Sequence, residues 1–104
     1  MKVSIIVEAR LGSKRLPNKI IYKIKKYLFI EYLIKRLKKS KQCNEIIIAT
    51  TNLAQDMKLV GIAKKNKVKY FQGSKNNVIK RVIDAGKKFN CKTIVRVTSD
   101  CPVI

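Results

Sequence analysis

The stretch Val3–Lys19, VSIIVEARLGSKRLPNK, decides how the rest of the chain is read. It opens with an apolar, β-branched run from Val3 to Val7, the length and composition of a buried strand. It then breaks into a segment with one glycine, one proline, a serine and the cations Arg10, Lys14, Arg15 and Lys19. A buried strand opening into a cationic, glycine-bearing loop is a common way for an α/β protein to meet a phosphate. Gly12 lets backbone N–H groups approach phosphate oxygens. Arg10 and Arg15 can pair with them bidentately, Lys19 adds a point charge and the Ser13 hydroxyl can donate. Neither GxxxxGK[ST] nor GxGxxG is present, so the loop belongs to neither the P-loop nor the dinucleotide fingerprint. On spacing alone, a solvated basic loop is an equal alternative.

Working outward, short apolar runs alternate with amphipathic ones. Ile30, Leu33, Ile34 and Leu37 recur at helical spacing, with Lys35, Arg36, Lys38 and Lys39 left for a solvated face. Ile20–Lys26 reads as irregular or as a short strand. Glu45–Thr50 (EIIIAT) reads as a strand covered on both faces, as in a parallel sheet. Asn52 with Gln55 offers a capping box for a helix carrying Leu59, Val60 and Ala63. Val68–Phe71 is a third strand, and Gly73, Ser74 and Asn76 or Asn77 form a turn and cap. Val78, Ile79, Val82, Ile83 and Phe89 mark a third helix, and Lys92–Val97 a fourth strand ahead of TSDCP. The alternation predicts an α/β domain over residues 1–104, with a mostly parallel sheet and helices on both faces. Ligands of such sheets lie beyond the carboxyl ends of the strands, which brings the Ala9–Lys19 loop and Asp100 to one rim. Asp100 could hold Mg2+ against substrate phosphates; a turn aspartate is the commoner role at that position. Glu8 and Glu31 are expected as loop and helix-surface partners of neighbouring cations.

Twenty-five Lys and Arg against six Asp and Glu give a net charge of +19. That balance favours polyanionic partners, including nucleic acid through non-specific charge. The excess of Lys, Ile, Asn and Tyr is also what an AT-rich genome writes, so the placement of individual cations has to carry the reading. Cys43, Cys91 and Cys101 form no CxxC pair and show no metal-ligand spacing, and with no histidine in the chain a zinc site is not expected. The N-terminal apolar run is too short for a signal peptide or a membrane span, so the expected location is cytoplasmic, without membrane insertion. The apolar ending Pro102-Val103-Ile104 reads as the N-terminal part of a longer protein. The open edge of an incomplete sheet would favour a homo-oligomer.

EARLGSKRLPNK resembles the N-terminal signature of the sugar-nucleotide cytidylyltransferases, ARxGSxRLPxK, in the branch of the spore coat polysaccharide biosynthesis protein F type, related to the CMP–acidic sugar synthetases. IEYLIKRLKKS, EIIIATTN, FQGSKNNVIKR and VRVTSDCPVI follow in register. The resemblance implies a Rossmann-like nucleotidyltransferase fold, incomplete at its C-terminus. It also implies an activity that moves CMP from CTP to a sugar, with Mg2+. Carried over by position, Arg10, Gly12, Ser13, Arg15 and Lys19 would hold the nucleotide phosphates, with Arg15 and Lys19 serving catalysis. Ala9 would lie beside the base through its backbone, and Asp100 would bind the metal. Arg81 and Arg96 match arginines near the family site, Arg81 as a nucleotide-binding residue. Departures from the family pattern include Glu8 for glutamine, Lys14 for threonine and Asn18 for glycine. Lys25-Lys26-Tyr27-Leu28 stands at a GGKP-like turn, Asn76-Asn77 at an acidic pair, and Ser99 at a glycine. Two other readings are a non-catalytic basic module that binds a polyanion and an inactive remnant of the enzyme.

Overall fold

The computed structural model describes residues 3–10, 23–39 and 45–98. β1 (Val3–Glu8) is followed by a small antiparallel hairpin, β2 (Lys23–Ile24) and β3 (Tyr27–Leu28), which runs directly into α1 (Phe29–Lys38). Then come β4 (Glu45–Thr51), a 3-10 turn (Ala54–Asp56), α2 (Met57–Lys65), β5 (Lys69–Gly73), α3 (Val78–Lys88) and β6 (Thr93–Thr98). β5, β4, β1 and β6 form one parallel sheet in that order.

The helices cover both faces, as the alternation of elements requires. On one face Ile5, Val7, Ile46 and Ile48 meet the α1 stripe of Ile30, Leu33, Ile34 and Leu37, together with Leu59, Ile62 and Ala63 of α2. On the other face Ile6, Ile47 and Ala49 meet Val82 and Ala85 of α3. The two central strands are therefore apolar at successive positions, since each side chain faces a helix whichever way it points. Each fully buried Ile or Leu contributes about 1.5–3 kcal/mol. The cations Lys35, Arg36, Lys38 and Lys39 lie on the exposed side of α1, as its period demands.

Within Ile20–Lys26 the short strand is present as β2, and the turn of its hairpin puts Lys25 at φ 58°, in the left-handed region. Three local expectations need correction. Asn52 and Gln55 do not cap α2. The Thr51 hydroxyl donates to the Asp56 carboxylate, a 3-10 turn intervenes, and the helix begins at Met57. Ile79 and Ile83 are not on the buried stripe of α3 but about half exposed; Arg81, Val82, Ala85 and Gly86 face inward instead. Small residues are needed there because α3 crosses close to the sheet: a Cβ on Gly86 would sit 2.5 Å from Cδ1 of Ile94. Glu31 is not a helix-surface partner but is only 2% exposed. Its Oε1 accepts the Leu28 N–H at 3.0 Å, in the manner of a capping box, and its Oε2 accepts the Asn66 amide at 3.0 Å. Lys65 stands 3.5 Å from the same Oε2.

Candidate nucleotide site at the carboxyl rim

Because all four strands of the main sheet are parallel, Glu8, Thr51, Gly73 and Thr98 end on one edge. Ala9 continues β1 for one more step, its N–H donating to Ala49 O at 3.0 Å, and it is 3% exposed. Alternation along β1 puts Ala9 toward the α1/α2 face and Glu8 toward the α3 face. The Ala9 backbone is thus fixed at the mouth of the loop that follows.

Two arginines dominate the α3 side of this rim. Arg81, one turn into α3, is 1% exposed and is the largest fully buried side chain among the described residues. Its Nη1 donates to Ser74 O at 2.9 Å. Arg10, immediately after Ala9, donates Nη1 to the next carbonyl, Lys75 O, at 3.2 Å. The Nε atoms of both are buried and have no hydrogen-bond partner among the described residues, and the same holds for the Thr50 hydroxyl. Buried polar atoms are rarely left unpaired without a cause. Burial pushes the Arg81 guanidinium down from its usual range, Glu8 pulls it back up, Arg10 pushes it down again and Asp56 raises it. Arg81 therefore lies in the field of the whole rim.

The loop from β5 to α3 is built to present those carbonyls. Asn77 caps α3, its Oδ1 accepting the Lys80 N–H at 2.9 Å, and the Asn77 N–H donates to Ser74 Oγ at 3.1 Å. Asparagine is among the favoured N-cap residues because its side-chain oxygen accepts a first-turn N–H. Gly73 has no room for a side chain: a Cβ would lie 2.6 Å from the Phe71 ring and 3.2 Å from Arg81 Cγ.

Glu8 is the expected partner of a neighbouring cation. Its carboxylate accepts Arg96 Nε at 2.6 Å and Nη2 at 3.2 Å across the β1–β6 pair. That pairing raises the Arg96 pKa. Asp56 is fully buried and receives the Thr51 hydroxyl. Among the described residues no three His, Cys, Asp or Glu side chains gather as a metal site.

Of the residues singled out in the sequence, Ala9, Arg10 and Arg81 are brought together at the rim, with Arg96 beside Glu8. Gly12, Ser13, Arg15, Lys19 and Asp100 lie outside the described residues. Thr51, Asp56 and the paired carbonyls of Ser74 and Lys75 went unread in the sequence. Asp56 carried one faint signal, as one of only six acids in a chain of net charge +19.

Fold and rim together define an α/β domain whose parallel sheet ends in an arginine-lined edge. The cytidylyltransferase family profile matches residues 4–104, and the chain belongs to the cytidylyltransferase family. A solved cytidylyltransferase from Leptospira borgpetersenii superposes with a TM-score of 0.93 at 44% identity, over 100% of this chain and 44% of that one. The spore coat polysaccharide biosynthesis protein SpsF of Bacillus subtilis is 27% identical over 98% of this chain and 44% of its own length. CMP:2-keto-3-deoxy-manno-octonic acid synthetase, solved with CTP, shares the fold with a TM-score of 0.77 at 20% identity, over 100% of this chain and 42% of that one. The chain thus spans less than half the length of each of these relatives. Among the described residues no helix is long and apolar enough to cross a membrane.

Proposed function

We propose that the chain is the CTP-binding part of a cytidylyltransferase that transfers CMP to a sugar for surface polysaccharide synthesis, in the cytoplasm. The observation that supports this most is the arginine-lined rim at the end of β1, within a family match covering residues 4–104. The printed name of SpsF supports the polysaccharide context, and the CTP complex of the synthetase supports the nucleotide.

In this reading the Ala9 backbone lies beside the base. Arg10 holds the phosphates with Gly12, Ser13, Arg15 and Lys19, and the charge of Arg81 stands behind them. A sugar hydroxyl oxygen attacks the α-phosphorus of CTP, the bond to the β-phosphate oxygen breaks, pyrophosphate leaves and the hydroxyl proton passes to solvent. Arg15 and Lys19 stabilise the charge that builds on the phosphates; little else is required of the protein in such a transfer beyond positioning. Both described carboxylates of the rim are engaged, Glu8 by Arg96 and Asp56 by Thr51. Mg2+ would therefore be held by Asp100 together with the phosphates, supplying neutralising charge, an arrangement that needs only one or two protein carboxylates.

A CTP concentration 100-fold above Kd, with Mg2+, is expected to add about 2.7 kcal/mol to stability. For a chain of this size that raises Tm by on the order of 10 °C. ATP at the same concentration should do less. No shift with millimolar CTP, or an equal shift with ATP, overturns the proposal. The second reading, a basic module for nucleic acid, draws on the net charge of +19 and the exposed cations of α1. It predicts binding that falls steeply with salt and is indifferent to Arg10→Ala.

A further inference from the structure

Arg10 and Arg81 are connected through consecutive carbonyls of one loop. Arg81 Nη1 holds Ser74 O at 2.9 Å and Arg10 Nη1 holds Lys75 O at 3.2 Å. Arg81 is walled in at 1% exposure, so its guanidinium offers almost no surface to a ligand lying over the rim. Arg10, by contrast, is only half-buried and stands on the first residues after β1. The loop between them has little freedom. Asn77 and Ser74 brace its far end, and Phe71 and the Arg81 stem fill the space beside Gly73.

We infer that Arg81 is a positioning residue: it fixes the Gly73–Lys75 segment, and that segment holds the Arg10 guanidinium where a nucleotide phosphate will meet it. The inference rests on the CTP-binding reading, and it reassigns Arg81 from a nucleotide contact to the support of one. Preorganising Arg10 matters because a free arginine must give up its side-chain freedom on binding. A guanidinium already held on a carbonyl has lost most of it.

The test uses the chain as it is, labelled for NMR at arginine Nε. In the wild type the Arg10 Nε–H is buried and should exchange slowly with solvent. Arg81→Lys keeps the charge but loses the planar reach to Ser74. It should speed Arg10 Nε–H exchange at least ~10-fold and raise the Kd for CTP with Mg2+ about 10-fold, the scale of one charge-assisted hydrogen bond. The Arg96 Nε–H, bonded to Glu8, should be unmoved, which separates positioning from general loosening. In an Arg10→Lys background, adding Arg81→Lys should change Kd less than about 2-fold, since the two act in series. Additive losses of affinity, or unchanged Arg10 exchange in Arg81→Lys, overturn the inference. If the wild type does not bind CTP, the functional reading falls, while Arg10 exchange still decides whether Arg81 positions it. Should Arg81→Lys fail to fold, Gly73→Ala presses on the same stem and should give the same pattern.

Discussion

Two buried charges, Glu31 on the α1/α2 face of the sheet and Arg81 on the α3 face, are treated differently. On the α1/α2 face, Glu31 is buried and both its oxygens are engaged, by Leu28, Asn66 and Lys65. On the α3 face, Arg81 has one strong bond to Ser74, while its Nε and that of nearby Arg10 have no partner among the described residues. A saturated charge ties elements together and leaves nothing for a ligand. At the strand rim, the field of Arg81 and the donors of the more accessible Arg10 stay available for an anion. The comparison assigns stability chiefly to the first face and ligand chemistry to the second.

The largest effect that could break this comparison is a cavity on the α1/α2 face. Leu59→Ala removes a fully buried side chain and should cost about 2–5 kcal/mol in urea unfolding, and CTP affinity should be unchanged once the folded fraction is allowed for. An equal loss of affinity in the folded fraction would show that the faces do not divide the work. Next comes Thr51→Val on the α3 side. It keeps the shape but takes a donor from the buried Asp56, and should cost about 1–3 kcal/mol.

Acid sensitivity sharpens the comparison further. Burial alone would raise the Glu31 pKa, but the bonds from Leu28 and Asn66 and the charge of Lys65 outweigh it and hold it below the ordinary carboxylate value. A lowered carboxylate pKa contributes stability that is complete above the unfolded value and lost as pH falls through the native one. Glu31→Gln should therefore flatten the acid limb of a Tm-versus-pH curve below about pH 4.5, whereas Arg96→Gln on the opposite side should leave the Glu31 part of that limb in place. The smallest effect expected is a gain. Lys25 holds φ 58°, and Lys25→Gly should raise stability by about 1 kcal/mol by relieving left-handed strain, measured as a shift in urea midpoint.

Much of the fold was legible because periodicity reports directly on burial. The α1 stripe and the Ile46–Ile48 run have only one packing that hides them, and both are buried as read. The misreadings share a physical cause: long-range pairing overrides a local signal. Glu31 reads as a surface acid until α2 brings Asn66 and Lys65 over it. Asn52 reads as a cap until Thr51 and Asp56 set a different turn. Ile79 and Ile83 read as core until Arg81 takes the inward position between them. Of the candidate site, Arg10 was reachable from the loop's own residues, and Ala9 and Arg81 only through the family resemblance. The carbonyls of Ser74 and Lys75 were not, since any residue supplies a carbonyl and only the fold determines which ones face an arginine.

The central claim, that the α3 side of the strand rim is a nucleotide site, is tested most directly by mapping amide chemical shifts during a titration with CTP and Mg2+. The account predicts saturable shifts concentrated at Ala9, Arg10, Ser74 and Lys75, with the amides of Leu33, Leu37 and Leu59 on the opposite face unmoved. Shifts spread over the exposed lysines of α1, vanishing with added salt and reproduced by ATP, would contradict it.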